Sequence, residues 1–138
     1  MTWEKDDFAI SCDKGRVDID ALCDMLSRAY WAKGRSREQI EKSVANSLCF
    51  SLFHDDEQIG FARVLTDGMA YAIILDMFIH EKFRGQGLGK WLVKCICKHP
   101  EVTPLRQVLW TSDADDFYRQ VGFEEMSKIK LMARSWKM

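Results

Sequence analysis

The segment that most limits what this chain can fold into runs from Ala70 to Lys90. Ala70 to Ile79 is almost continuously apolar, broken at Asp76, the pattern of a strand covered on both faces. His80 to Gly87 is charged and glycine-rich, so the chain has to bend there. Leu88, Leu92 and Cys95, with Trp91 and Ile96 beside them, then recur at helical spacing, while Lys90, Lys94 and Lys98 face outward. A buried strand, a glycine bend and a helix in direct succession aim unpaired backbone N–H groups and the positive end of a helix dipole at one point. Phosphates bind at such points. Glycines let the backbone approach phosphate oxygens, and Arg84 and Lys90 either add charge or stay solvated.

Two nucleotide-binding loops fail on particular residues. A P-loop needs glycine five residues before the glycine of its Gly-Lys pair and Ser or Thr after the Lys; Arg84 and Trp91 stand at those places. A dinucleotide fingerprint beginning at Gly85-Gln86-Gly87 needs glycine where Lys90 stands, and no acidic ribose partner follows a second strand. What remains is Arg/Gln-x-x-Gly-x-Gly/Ala, met by Arg84, Gly87 and Gly89.

The rest of the chain alternates between the two periodicities. Trp3 to Cys12 is a weak first strand. Asp18 is placed to cap a helix with Ile19, Leu22, Cys23, Leu26, Ala29 and Tyr30 on one face, ended by Lys33-Gly34-Arg35. Ser36 and Gln39 form a capping box for a second helix with Ile40 and Val44 inward. Leu48 to His54 and Gln58 to Leu65 flank the polar turn Asp55-Asp56-Glu57 as a hairpin. His99-Pro100 stops the helix after the glycine bend. Leu105 to Thr111 then reads as a strand, Asp113 as the cap of a short helix ending near Gly122, and Phe123 to Met132 as a final strand. This order predicts one mixed α/β domain over residues 1–138.

Composition narrows the function classes. With 20 basic and 21 acidic residues, the basic excess of a nucleic-acid-binding domain is missing. No apolar run reaches the ~18–20 residues of a membrane span, and the acidic N-terminus does not resemble a signal peptide, so a cytoplasmic protein is expected. Five cysteines lack a disulfide or zinc spacing and read as buried reduced thiols; no metal is expected.

About thirty residues after the glycine bend, Asp116-Phe117-Tyr118-Arg119-Gln120-Val121-Gly122-Phe123 places a Tyr on a short helix just before Gly-Phe. With Asp76 to Lys90, this segment resembles the GNAT superfamily of N-acetyltransferases, and the resemblance covers nearly the whole chain. It implies a mixed, mostly antiparallel central sheet flanked by helices, with strands 4 and 5 splayed. It also implies acetyl-CoA as acyl donor, with Met77, Phe78 and Ile79 along the pantetheine and Arg84, Gly85, Gln86, Gly87, Leu88, Gly89 and Lys90 around the pyrophosphate. Met77 N–H becomes the candidate oxyanion donor, and Tyr118 the general acid that also contacts the coenzyme.

Other roles stay open at this point. Asp76 is read as a base acting through water, as a contact to a cationic substrate, or as a structural carboxylate bonded to backbone or Arg63. Asp67 and Asp113 are weaker base candidates. Tyr30 and Trp31 either flank the substrate or complete the core, and Arg35 either pairs with an acceptor carboxylate or is solvated. The expected reaction is direct attack of a primary amine, on a small molecule or a protein, rather than an acetyl-Cys route. An acyl-CoA-binding sensor and a non-enzymatic interaction domain are the alternatives, and homodimers are common among similar domains.

Overall fold

Alternation and turn chemistry produce six strands in one sheet, ordered along the chain. The computed structural model describes residues 1–136. The strands are β1 (Thr2–Lys5), β2 (Phe8–Ser11), β3 (Leu48–His54), β4 (Glu57–Thr66), β5 (Tyr71–Ile79) and β6 (Arg106–Val108). Neighbours pair antiparallel from β1 to β5, and β6 joins β5 in parallel. Helices α1 (Ile19–Ser27) and α2 (Arg37–Ala45) cover one face; α3 (Leu88–Lys98) covers the other; α4 (Asp115–Arg119) is a short turn of helix near the C-terminus.

Each face of the sheet has its own core, as a period-two strand requires. Leu22, Met25, Leu26, Ile40 and Val44 pack on Cys49, Phe61 and Phe78. Leu88, Leu92, Cys95 and Ile96 pack on Phe50, Leu52, Ala62, Val64 and Ile74. The caps expected for α1 and α2 form: Asp18 accepts from Ala21 N–H, and Ser36 and Gln39 exchange both capping-box hydrogen bonds. A cap of this kind contributes about 1 kcal/mol. No helix among the described residues is long and apolar enough to cross a membrane.

Several expected boundaries move. The first strand is a hairpin, because Asp6 takes a left-handed backbone (φ 54°) and turns the chain between β1 and β2. Helix α1 ends at Ser27, and residues 28–35 form turns rather than a further helical turn. β6 has three residues instead of seven. Asp113 does not cap α4: Ala114 holds the cap position without a side-chain bond, while Thr111 Oγ1 accepts the Asp113 and Ala114 N–H groups. No strand forms over Phe123 to Met132. Ile129, Leu131 and Met132 are exposed there, so extended pairing has no burial to hold it, and β6 offers too short an edge.

Two irregularities of β5 position the site. Only Tyr71, Ala72 and Ile73 pair with β6, so from Ile74 onward these two parallel strands, the fourth and fifth expected from the sequence and renumbered because the first strand is a hairpin, splay and leave a wedge. On the other side, Phe61 faces Phe78 and Arg63 faces Leu75, so Asp76 and Met77 together oppose Ala62. This is a β-bulge, which bends the strand and interrupts its ladder. Asp76 supplies it with φ 54°, a left-handed conformation that Asp tolerates better than most residues.

Candidate active site

At the end of β5 the chain makes a 3-10 turn (Glu81–Phe83), then the glycine bend, then α3. Gly85 (φ 81°) and Gly87 (φ 79°) are both left-handed, which L side chains rarely adopt. Space beside both is open: no heavy atom lies within 4 Å of where a Cβ would stand. Gly87 is the α3 N-cap, gives no side-chain cap, and no acidic residue occupies the first turn. The first N–H groups of an eleven-residue helix therefore face this opening without a side-chain acceptor. Gln86 and Lys90 are exposed around it, while Leu88 points into the core.

The bend is fixed from behind. Arg28, just past α1, grips Glu81 through two hydrogen bonds of 2.9 and 3.1 Å. The Arg28 bonds hold the Glu81 carboxyl down to about 2. Arg84 donates through Nε to the Ile79 carbonyl (2.9 Å) and stacks its guanidinium 5.1 Å from the Phe78 ring centre. Its charge is thus tied to the end of β5, at the rim of the bend.

Gly89 lies where α3 meets β5 and α4. A Cβ there would stand 3.2 Å from Phe117 Cζ and 3.4 Å from Met77 Cε. Next to this contact, Tyr118 donates its hydroxyl to Met77 Sδ at 3.6 Å. Burial, with a smaller contribution from Tyr30, raises the Tyr118 phenol above its ordinary value, so it keeps its proton at neutral pH. A thioether is a weak acceptor, so this proton can be redirected.

The other flank of the bulge is densely charged. Asp76, whose side chain is only 2% exposed, accepts from Arg35 Nη1 (2.7 Å), Arg63 Nε (2.7 Å) and Trp31 Nε1 (3.2 Å). Burial alone would push this carboxyl up, but the two arginine hydrogen bonds outweigh it and hold it below the usual carboxylate range. Trp31 is thereby fixed with its ring 6.5 Å from Phe78. Tyr30 meets Ser112 Oγ at 2.7 Å, linking the α1–α2 connection to the segment after β6.

Met77, Tyr118 and Gly89 therefore lie together, and Asp76, Trp31 and Arg35 converge beside them. Asp67 and Asp113 stand apart: Asp67 sits in the β4–β5 turn, where Met69 and Ala70 N–H groups lower its pKa, and Asp113 is exposed before α4. Among the described residues no three His, Cys, Asp or Glu side chains are grouped to hold a metal. Burial pushes the Cys12, Cys49 and Cys95 thiols up to about 11. The convergence of Arg35 with Arg63 on one carboxylate was not visible as a set. Its signal was two opposite charges, Arg63 and Asp76, inside otherwise apolar strands.

Residues 45–125 match the model of the acetyltransferase (GNAT) domain. The chain belongs to the GNAT acetyltransferase family. A GNAT-family protein of Xanthomonas campestris pv. campestris has the same fold, with 33% identity and a TM-score of 0.87 over 94% of this chain and 93% of its own. The uncharacterized N-acetyltransferase ycf52 of Gracilaria tenuistipitata var. liui is 33% identical over 77% of this chain, which spans 60% of that relative's length. A GNAT acetyltransferase from Elizabethkingia anophelis, solved with acetyl-CoA bound, shares the fold at 22% identity, with a TM-score of 0.67 over 87% of this chain and 78% of its own. In this GNAT acetyltransferase the glycine bend, the splayed strands and Tyr118 adjoin one another.

Proposed function

We infer that this GNAT acetyltransferase moves an acetyl group from acetyl-CoA to a primary amine by direct attack. The observation that carries this reading is the Tyr118 hydroxyl resting on Met77, at the mouth of the β5–β6 wedge and beside the N-terminus of α3, which no side chain caps. The bound relative from Elizabethkingia anophelis supports acetyl-CoA as the donor. Left-handed Gly85 and Gly87, with open space beside them, suit a diphosphate, and the wedge along Met77, Phe78 and Ile79 suits an extended pantetheine arm. Gln86, Leu88, Gly89 and Lys90 complete the phosphate-facing turn, with Lys90 and rim-placed Arg84 contributing charge. When bound, acetyl-CoA supplies the activated acetyl group as a thioester.

The chain's own residues then divide the work. Met77 N–H, at the bulge where the ladder is broken, is the donor for the carbonyl oxygen as negative charge develops. Tyr118, kept protonated by burial, gives its proton to the departing sulfur. Asp76 is a poor base, because three donors occupy it and its pKa is depressed. Its part is to hold Arg35, Arg63 and Trp31 at the acceptor side, and the amine loses its proton to water. Tyr30 and Trp31 frame that entrance.

Replacing Tyr118 with Phe tests the reading. Turnover should fall roughly hundredfold, the lower range of general acid catalysis, while calorimetric binding of acetyl-CoA stays within about twofold of the parent chain. Unchanged turnover removes Tyr118 from the chemistry.

A further inference from the structure

Next to Asp76 lies a cleft of about 300 Å³ lined by Arg35, Gln39, Ser43 and Arg63. No acidic residue lines it. Asp76 is hidden beneath, with 2% of its side chain exposed, whereas Arg63 and Arg35 keep 14% and 29% of theirs. Neutralising one carboxylate takes one guanidinium, and here two are supplied.

The donors are also only partly used. Arg35 gives Nη1 to Asp76. Arg63 gives Nε to Asp76 and Nη1 to Ser47 Oγ. Among the described residues, Nε and Nη2 of Arg35 and Nη2 of Arg63 have no acceptor. Gln39 spends its Oε1 on the Ser36 N–H of the capping box, which leaves its amide donor free. A net positive charge, several unspent N–H groups and a carboxylate that fixes both guanidinium planes make an anion receptor.

We propose that this cleft receives a carboxylate of the acceptor, so the acceptor is an amine that itself carries a carboxylate group. This rests on the acetyl-transfer reading, because it places the acceptor beside the thioester. Asp76 directly precedes Met77, whose Sδ holds the Tyr118 hydroxyl, so the cleft and the proton donor flank the same two-residue bulge. An acceptor anchored on Arg35 and Arg63 extends its amine toward Met77 across Asp76. Selectivity follows from the desolvated guanidinium groups: an amide in place of the carboxylate leaves them without a charged partner.

The test is calorimetric titration of the intact chain, first with coenzyme A alone and then, at saturating coenzyme A, with matched products. N-acetylglycine, N-acetyl-β-alanine and N-acetyl-γ-aminobutyrate are each compared with their amides, which varies the span between acetamide and carboxylate. At least one acid should bind roughly ten- to hundredfold more tightly than its amide, the range of hydrogen bonds to charged groups. Arg35→Gln should remove most of that preference. Gln39→Glu should abolish or reverse it by adding a carboxylate to the cleft wall, while keeping the capping box, since Glu serves at that position as well as Gln. Equal binding of acids and amides, no binding by any acid, or a preference untouched by both variants overturns the proposal. In those cases coenzyme A binding that persists in the first titration leaves the acetyl-transfer reading standing. Its loss overturns both.

Discussion

The two flanks of the β5 bulge are built from different materials. On the Met77 flank the site is made of backbone and small residues: the open N-terminus of α3, two left-handed glycines, and Gly89 tight against Phe117 and Met77. Its polar groups are nearly idle, and Tyr118 rests on a weak sulfur acceptor. On the Asp76 flank the site is made of side chains from three places, Trp31 and Arg35 before α2, Arg63 on β4 and Asp76 on β5, locked by hydrogen bonds of 2.7 to 3.2 Å. The first flank suits a ligand fixed by its phosphates and arm. The second is stiff and charged, and suits a discriminating role. One bend in one strand separates a general half from a particular half.

Breaking the Asp76 flank should give the largest effect. Asp76→Ala leaves two mostly buried guanidinium groups without their shared carboxylate and places Ala in a left-handed conformation. Unfolding by urea should show a loss of about 3–5 kcal/mol, whereas Asp76→Asn, which tolerates that backbone, should lose less. A stability unchanged by the alanine variant would mean the cluster is ornamental. The pH dependence sharpens this. Because the folded pKa of Asp76 is depressed, its contribution is complete above the unfolded value near 4 and disappears as pH falls through the lower folded value. Asp76→Asn should lack that acid-side component, and an identical acid limb in both proteins would contradict the sign of the shift.

On the Met77 flank the expected damage is smaller and falls on catalysis. Gly89→Val adds atoms where even a Cβ would meet Phe117 at 3.2 Å. Overpacking of this kind costs about 1–3 kcal/mol, and α4 must shift with its Tyr118, so turnover should fall more than stability. Equal stability with full turnover would show that the α3–α4 contact has slack. The smallest effect is expected from the thiols. Half-buried Cys97, whose pKa burial also raises, and half-buried Cys23 lie outside the bulge, so the Cys23→Ala, Cys97→Ala double variant should release thiol from acetyl-CoA at the parent rate. Loss of activity with an intact fold would revive a covalent acetyl-Cys route.

The same division decides what could be read from the sequence. The Met77 flank was legible because its parts are local. A glycine pattern, a helix period and a Tyr before Gly-Phe are each complete within about ten residues, and the caps at Asp18 and Ser36 are likewise short-range. The Asp76 flank was legible only in fragments. Asp76 stood out as an acid in an apolar strand, and Arg63 as a candidate partner. The bulge that turns Asp76 toward Arg35 has no glycine to announce it and depends on the β4 register. The tail failed for a related reason: Phe123 to Met132 has the composition of a strand, yet three paired residues of β6 offer it no edge to join. Asp113 has the chemistry of a cap, but α4 starts one residue later, at the Ala114 cap position, and Thr111 Oγ1 holds the turn before it.

If the glycine bend before α3 holds the diphosphate of acetyl-CoA, as proposed, titration calorimetry on two proteins reveals it. The parent chain should bind acetyl-CoA saturably at one site. Gly87→Ala, which forces a side chain into a left-handed position costing roughly 1–2 kcal/mol, should bind it about tenfold more weakly while keeping its circular dichroism spectrum. Absence of binding by the parent, or the same affinity in both proteins, would rule the bend out as the diphosphate site.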